Sequence, residues 1–537
     1  MKNTSKKQEE KRSKRIAKNA KGITLVALVI TIIIIIILAT VTINMAFGDD
    51  GIIKRAEQAK DMYANDTAYT DQSMANATAY LDEMLNGVEG GGTEEPEEPF
   101  EPQPTPEPPT GGAEMEDKTN GIIEIKWLSG NTNNVTENPN APVIKTDLPS
   151  GTTMEQVVYD EGNNTWVAGT EYSYLPGTGS NDNTSSKWAN AKVTKDGIDS
   201  YFVWIPRYAY RIIYFDNAES KKAYQEGTLT EEEAVAGEKI IGYSDSRGIV
   251  DREGKKIESV ASTTHTMVSE DYFMVHPAFT DEEENGGWDS QLPGIWIGKY
   301  EASLANKADG TNIVPSNSTD GNILLSAPDH ADKTIVTKPG YSSWRNIVIG
   351  NMYTNALAYD TNLNSHMLKN SEWGAVAYLT ESKYGRNGTE ITINNNGTTY
   401  YTGGGAEVDA IETNQLQSST GNVYGIYDLS GNAFEYVASY YTGGSTLSNG
   451  SSFTTGTSDK YSTAYDGTDV NTNYKYGDAT YETSGWHSDG ANFVNSSSPF
   501  FLRGGGYGNG DSAGVFYFSR FIGNSVSDSS FRLALVL

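Results

Sequence analysis

Asn422-Val423-Tyr424-Gly425-Ile426-Tyr427-Asp428-Leu429-Ser430-Gly431-Asn432-Ala433-Phe434-Glu435-Tyr436-Val437 is the stretch on which the fold turns. Two shorter phrases follow it, Phe501-Leu502-Arg503-Gly504-Gly505-Gly506 and the closing Phe531-Arg532-Leu533. Each mixes β-forming aromatic and aliphatic residues with glycine or asparagine, which cut regular elements into short runs. The same texture reaches back to about Asn120, so a loop-rich, sheet-based domain is expected, with candidate strands at 121–127, 201–205, 295–300 and 423–427. Helical patterning is sparse. Its best example is 371–379, where Asn370 or Ser371 can cap a turn with Trp373, Val376 and Ala377 inward. The class is α+β.

At 537 residues the chain exceeds one ordinary core, so at least one large domain plus other segments is expected. It has no cysteine, which removes disulfides, thiolate nucleophiles and zinc-thiolate sites together. A net charge of -30 opposes non-specific nucleic-acid binding, which needs clustered Lys and Arg. The basic cluster that does exist lies before Gly22. It precedes an aliphatic run from Ile23 long enough to cross a bilayer, and Asp49 and Asp50 follow, the polarity of a cytoplasmic N-terminus with the remainder outside. We expect a leader at 1–22, a transmembrane helix at 23–47, a helical stalk at 48–86 and an acidic Pro/Gly-rich spacer at 87–115. An ectodomain follows, its β-rich leading part at 116–200 and its main part at 201–537.

Lys21-Gly22 before Ile23-Thr24-Leu25-Val26 resembles the prepilin-type signal. The resemblance implies cleavage between Gly22 and Ile23 by a prepilin peptidase, with the hydrophobic segment retained for a pilus-type assembly machinery. Pilins of that type usually carry glutamate at the fifth mature position, where this chain has Ala27. That departure argues against a major repeating subunit and leaves a minor pilin-like role or a plain anchor.

The order of the three C-terminal phrases resembles the formylglycine-generating enzyme, or sulfatase-modifying factor, family, whose fold is C-type-lectin-like. Tyr201–Tyr208, Gly294–Ser303 and Ser365–Leu379 resemble further segments of the same group. The aerobic enzymes of that family work through cysteine, so the resemblance implies the fold without that chemistry. The five histidines (265, 276, 330, 366, 487) show no metal-type spacing, and no Gly-x-Ser-x-Gly elbow fixes a nucleophile. We read His366 as structural and the ectodomain as non-catalytic. Related domains bind structural calcium near the first phrase, which makes Asp428, Asn432 and Glu435 the candidate ligands; the alternative is that Asn432 and Glu435 hydrogen-bond backbone in a tight Gly-Asn turn.

Residues 503–537 contain no Lys, Glu, Gln, Met or Trp. Gly-, Ser- and Asn-rich loops are themselves poor in those types. The tail is also similar to the variable region of diversity-generating retroelement target proteins, where adenine-directed mutagenesis of AAY codons cannot produce those five. That resemblance implies a scaffold of Arg503, Gly504, Gly505, Phe531 and Arg532. It makes Tyr507, Asn509, Asp511, Tyr517, Ser519, Phe521, Ile522, Asn524, Val526 and Asp528 the candidate contact residues. Tyr and Phe bring area with few torsions to freeze, and Asn, Ser and Asp bring adaptable hydrogen bonds. Phe516 and Phe518 are read as core. The expectation is a cell-surface binding protein, membrane-anchored or pilus-associated, whose partner is a protein or carbohydrate on another cell, a phage or a host. The other classes are a cysteine-free enzyme of the sulfatase-modifying superfamily and a structural pilin-like component.

Overall fold

The computed structural model describes residues 121–537 apart from 216, 231–239, 242–266, 269–272, 282–285, 398, 408–409 and 456–459. The leader, hydrophobic segment, stalk and spacer expected within 1–115 lie outside the described residues, as do Gly22, Ile23, Ala27 and His265. Among the described residues no helix is long and apolar enough to cross a membrane.

Helices and strands are both present, and the strands carry the framework. Strand β1 (Gly121–Leu128) alternates strictly over its first seven residues, with Ile123, Ile125 and Trp127 buried and Ile122, Glu124 and Lys126 on the other face. Strands β2 (Thr152–Asp160), β3 (Thr165–Ala168), β4 (Asn190–Lys195) and β5 (Ile198–Pro206) form an antiparallel run in the order β3-β2-β4-β5. A tight connection leads into β6 (Tyr208–Phe215), which pairs with β1 on one side and with β7 (Phe273–Val275) on the other. Strand β8 (Gly294–Gly298) continues the run beside β5, and its five residues are all buried.

Residues from the two ends of this region share one sheet. Strand β9 (His366–Met367) and the C-terminal β15 (Leu533–Leu535) complete a seven-stranded sheet of order β9-β15-β8-β5-β4-β2-β3. The last strand is thereby inserted between β9 and β8 rather than left at an edge. A five-stranded sheet is built on β10 (Phe434–Tyr441). It pairs in parallel with β11 (Thr463–Tyr465) and β14 (Ser529–Phe531), and antiparallel with β12 (Phe500–Arg503). Strand β13 (Phe518–Phe521) forms that sheet's edge against β12.

The helices differ in burial. Helix α1 (Ala218–Gln225) follows β6 and has no buried residue, α2 (Ile349–Tyr359) precedes β9, and α3 (Asn370–Glu381) is buried along its whole length. Neither Asn370 nor Ser371 caps α3. Lys369 is the N-cap, and the Glu372 carboxylate reaches back to its backbone N–H at 2.9 Å, with the His366 ring donating to the other Glu372 oxygen at 2.8 Å. His366 also meets the Asn364 carbonyl at 2.7 Å, and both its ring and Glu372 are fully buried. All nine tryptophans are buried, so a chain without disulfides concentrates its core in large aromatic rings.

The 423–427 stretch is not a strand. Asn422 Oδ1 accepts from the Tyr424 N–H at 2.9 Å, curling the backbone, and Asp428, Gly431 and Asn432 all take positive φ. Its Ile426 and Tyr427 are buried as loop residues instead.

The three quoted phrases converge at Glu435. In β10 it lies opposite Arg503 of β12 and Ser530 of β14. Arg532 grips its carboxylate through Nε at 3.0 Å and Nη2, which also donates to the Tyr427 carbonyl, while Nη1 donates to the Gly298 carbonyl. Both side chains are sealed from solvent. Burial pushes the Glu435 carboxyl up to about 7 against the pull of Arg532. Burial raises neighbouring Glu301 well above the carboxylate range, with Glu435 and Asp428 adding to the shift. Removing one member leaves an unpaired buried charge, a loss of about 3–5 kcal/mol. We therefore expect Arg532→Met and Glu435→Leu each to lower stability in urea melts by that order, and the double variant to lose clearly less than the sum; additive losses would contradict the pairing.

Candidate functional site

The terminal segment alternates between residues that cannot be moved and residues that face outward. Arg503 is buried under Trp373 and Phe518, and donates to the Ala479 and Asp478 carbonyls. Gly504 and Gly505 follow with φ of +78° and +69°, a region that disfavours Cβ, and a Cβ on Gly505 would sit 2.8 Å from Ala513. Phe531 and Arg532 are likewise buried. Between these anchors run a turn (507–512), strand β13 and a loop (522–528).

Of the ten candidate contact residues, Tyr507, Asn509, Asp511, Ser519, Phe521, Ile522, Asn524, Val526 and Asp528 are half-buried or exposed. Tyr517 is not: it is buried against Phe434 and Gly490, because the turn at 515–516 that leads into β13 runs through the core. Tyr517 is therefore packing, together with Phe516 and Phe518. In β13 the period of two puts Ser519 and Phe521 on the face opposite Phe518 and Arg520.

Backbone groups do the holding. The Tyr507 N–H donates to Asn432 O at 3.0 Å, and Asn509 Oδ1 accepts from the Gly506 N–H at 2.9 Å. In the loop, the carbonyls of Ile522, Gly523, Val526 and Asp528 accept from Asn449 Nδ2, Ile349 N, Asn346 N and Phe434 N at 2.7, 3.1, 2.8 and 2.9 Å. Ser527 O accepts from Arg345 Nη1. The path of the 522–528 loop is thus fixed mostly by main-chain acceptors that any residue supplies, whereas Asn509 holds the 507–512 turn through its side chain and Phe521 packs its ring against the core.

Sequence reading missed the neighbours that frame this segment. The Arg345 guanidinium lies 3.9 Å from the Tyr400 ring, and Tyr400 meets Tyr507 edge-on at 5.4 Å. Tyr400 holds φ +52°, a strained setting for a bulky residue. Arg345 and Tyr400 so join the 507–512 turn to the 522–528 loop. No local pattern marks them, because the contacts span from 55 to 182 residues of chain.

Of the calcium candidates Asp428, Asn432 and Glu435, the two carboxylates are engaged by protein donors. Asp428 Oδ1 accepts from Asn394 Nδ2 and the Gly403 N–H, both at 2.9 Å, while Arg532 occupies both Glu435 oxygens and would repel a dication. Among the described residues, no group of three or more His, Asp or Glu is placed to hold a metal.

One acid-base pair borders the segment. His487 Nε2 lies 3.0 Å from Glu381 Oε2, and the neighbouring Asp489 accepts from the Phe516 N–H at 2.9 Å. Burial pushes the imidazole down, but Glu381, Asp489 and Glu390 together outweigh it and hold its pKa up at about 9. At neutral pH the ring is a cation, the wrong form for a general base.

No family model matches the chain. No curated protein matches it either.

The raised pKa of His487 carries a sign. Folding gains from the charged ring fully below its ordinary value of 6.5 and loses that gain as pH rises through about 9. We expect wild type to exceed His487→Asn in stability by about 2–3 kcal/mol at pH 6, with the gap closing by pH 10 in paired chemical melts. A gap independent of pH would contradict the ion pair.

Proposed function

We propose that this chain is a surface-displayed, non-catalytic ligand-binding protein. In this reading residues 201–537 are a C-type-lectin-like domain and the side chains of 507–528 are its contact surface. The observation that carries it is the division of labour in the terminal segment: buried Arg503, Gly504, Gly505, Phe531 and Arg532 at its ends, and outward side chains on a backbone held largely by main-chain carbonyls between them. Substitution on such a frame changes recognition at little cost in folding.

Composition supports the same reading. Tyr507 and Phe521 offer aromatic area, and Asn509, Ser519, Asn524 and Asp528 offer polar groups around them. The lack of Lys, Glu, Gln, Met and Trp in 503–537 fits diversification at AAY codons. Display would come from the basic leader and hydrophobic run at 1–47, either as an anchor or, after cleavage at Gly22, within a pilus-type assembly; the ligand would be a protein or carbohydrate on another cell, a phage or a host.

Sequencing the DNA beside the gene in several isolates tests this. We expect a near-identical repeat of the terminal codons differing only at adenines, next to a reverse transcriptase gene, with the differences falling on the nine outward positions and sparing Tyr517. An invariant tail with no such repeat would overturn the diversified reading.

A further inference from the structure

A cavity of about 490 Å³ opens on the face of β1 turned away from the main core. Its floor carries the outward stripe of that strand, including Glu124 and Lys126, and it is walled by α1 and by the end of α3 with the turn that follows. Basic side chains outnumber acidic ones around it, although the whole chain has 40 Lys and Arg against 70 Asp and Glu.

The acidic side chains of the wall are already committed. Glu124 Oε2 takes Arg211 Nε at 2.6 Å and its Oε1 takes the Tyr224 hydroxyl at 2.7 Å. Glu381 takes His487. The lysines are held differently. Lys221 Nζ stands 5.8 Å from the Trp486 ring centre and Lys383 Nζ 5.4 Å from that of Tyr384, and among the described residues neither forms an ion pair. Lys126 Nζ lies over Phe273 at 4.4 Å. An aromatic face steadies an ammonium group without neutralising it, and a concave low-dielectric wall concentrates the resulting field. Among the described residues the cavity therefore presents the positive charge of Lys221 and Lys383 without an ion-pair partner, above a partly apolar floor and at a volume suited to a ligand of sugar size.

We propose that this cavity binds a small organic anion, a sugar-sized carboxylate or phosphate ester, with its charge met by Lys221 and Lys383 and its body against the β1 floor. Lysines are point charges that impose no bidentate geometry, so either anion suits them. The site is independent of the contact surface at 507–528.

Calorimetric titration of the purified full-length chain with glucuronate, glucose 6-phosphate and glucose tests it. We expect at least one of the two anions to bind about tenfold or more tightly than glucose, and to weaken with added salt. Binding of glucuronate alone would mark a carboxylate site, of the phosphate alone a phosphate site, and of both an unselective one. Lys221→Ala with Lys383→Ala should cost about tenfold with an unchanged melting temperature, and Lys222→Ala, on the same helix outside the cavity, should cost nothing. Equal affinity for glucose, no binding of either anion, or anion binding untouched by the double variant would each overturn the proposal.

Discussion

The buried ion pair between Arg532 and Glu435 is the constraint from which the rest of the architecture follows. A guanidinium and a carboxylate out of water are tolerable only when each finds its full set of partners, and Arg532 meets that demand through two carboxylate oxygens and the Gly298 and Tyr427 carbonyls. Those partners come from β8, from the loop before β10, and from β10 itself. One side chain near the C-terminus so ties the seven-stranded sheet to the five-stranded one. Strand β15 then has a single place to go, between β9 and β8.

This constraint also sets where variation is cheap. Between Arg503 and Phe531 the chain must leave the core and return within a fixed span, since β12 and β14 both pair with β10. The excursion is held at both ends by buried groups and along its length by hydrogen bonds to its own carbonyls. In its 522–528 loop few side chains are needed for that hold. A surface loop whose shape survives a change of side chain is the physical requirement for a recognition face that can be altered without unfolding its carrier. The cavity against β1 draws on another part of the same economy: β1 buries one stripe in the core and leaves the opposite stripe, with its charges, to line a concavity.

Much of the framework was legible in the sequence. The alternation in β1, the apolar runs of β5 and β8, and helix α3 with Trp373 inward all sit where local pattern places them. Local pattern misled at 423–427, because Val, Tyr and Ile read as strand while Asn422 and the positive φ of Asp428 bend the chain; turn chemistry outweighed β-propensity. It misled again at α3, where the cap is a backbone group satisfied by Glu372. Tyr517 looked like its neighbours in composition and differs only in where the chain carries it. Arg345, Tyr400 and the Glu381–His487 pair were invisible for a stronger reason: their partners lie from fifty-five to over a hundred and eighty residues away, and no spacing rule reaches so far.

The most direct test is a stability scan of the terminal segment, with each position from 503 to 532 substituted in turn by Asp, Ser and Tyr in the full-length chain and the fraction folded measured in denaturant. The structure predicts two populations. Substitutions at Tyr507, Asn509, Asp511, Ser519, Phe521, Ile522, Asn524, Val526 and Asp528 should stay within about 1 kcal/mol of wild type, while those at Arg503, Gly504, Gly505, Tyr517, Phe531 and Arg532 should cost about 2 kcal/mol or more. A single continuous distribution, with the outward positions as intolerant as the buried ones, would contradict the separation of scaffold from contact surface.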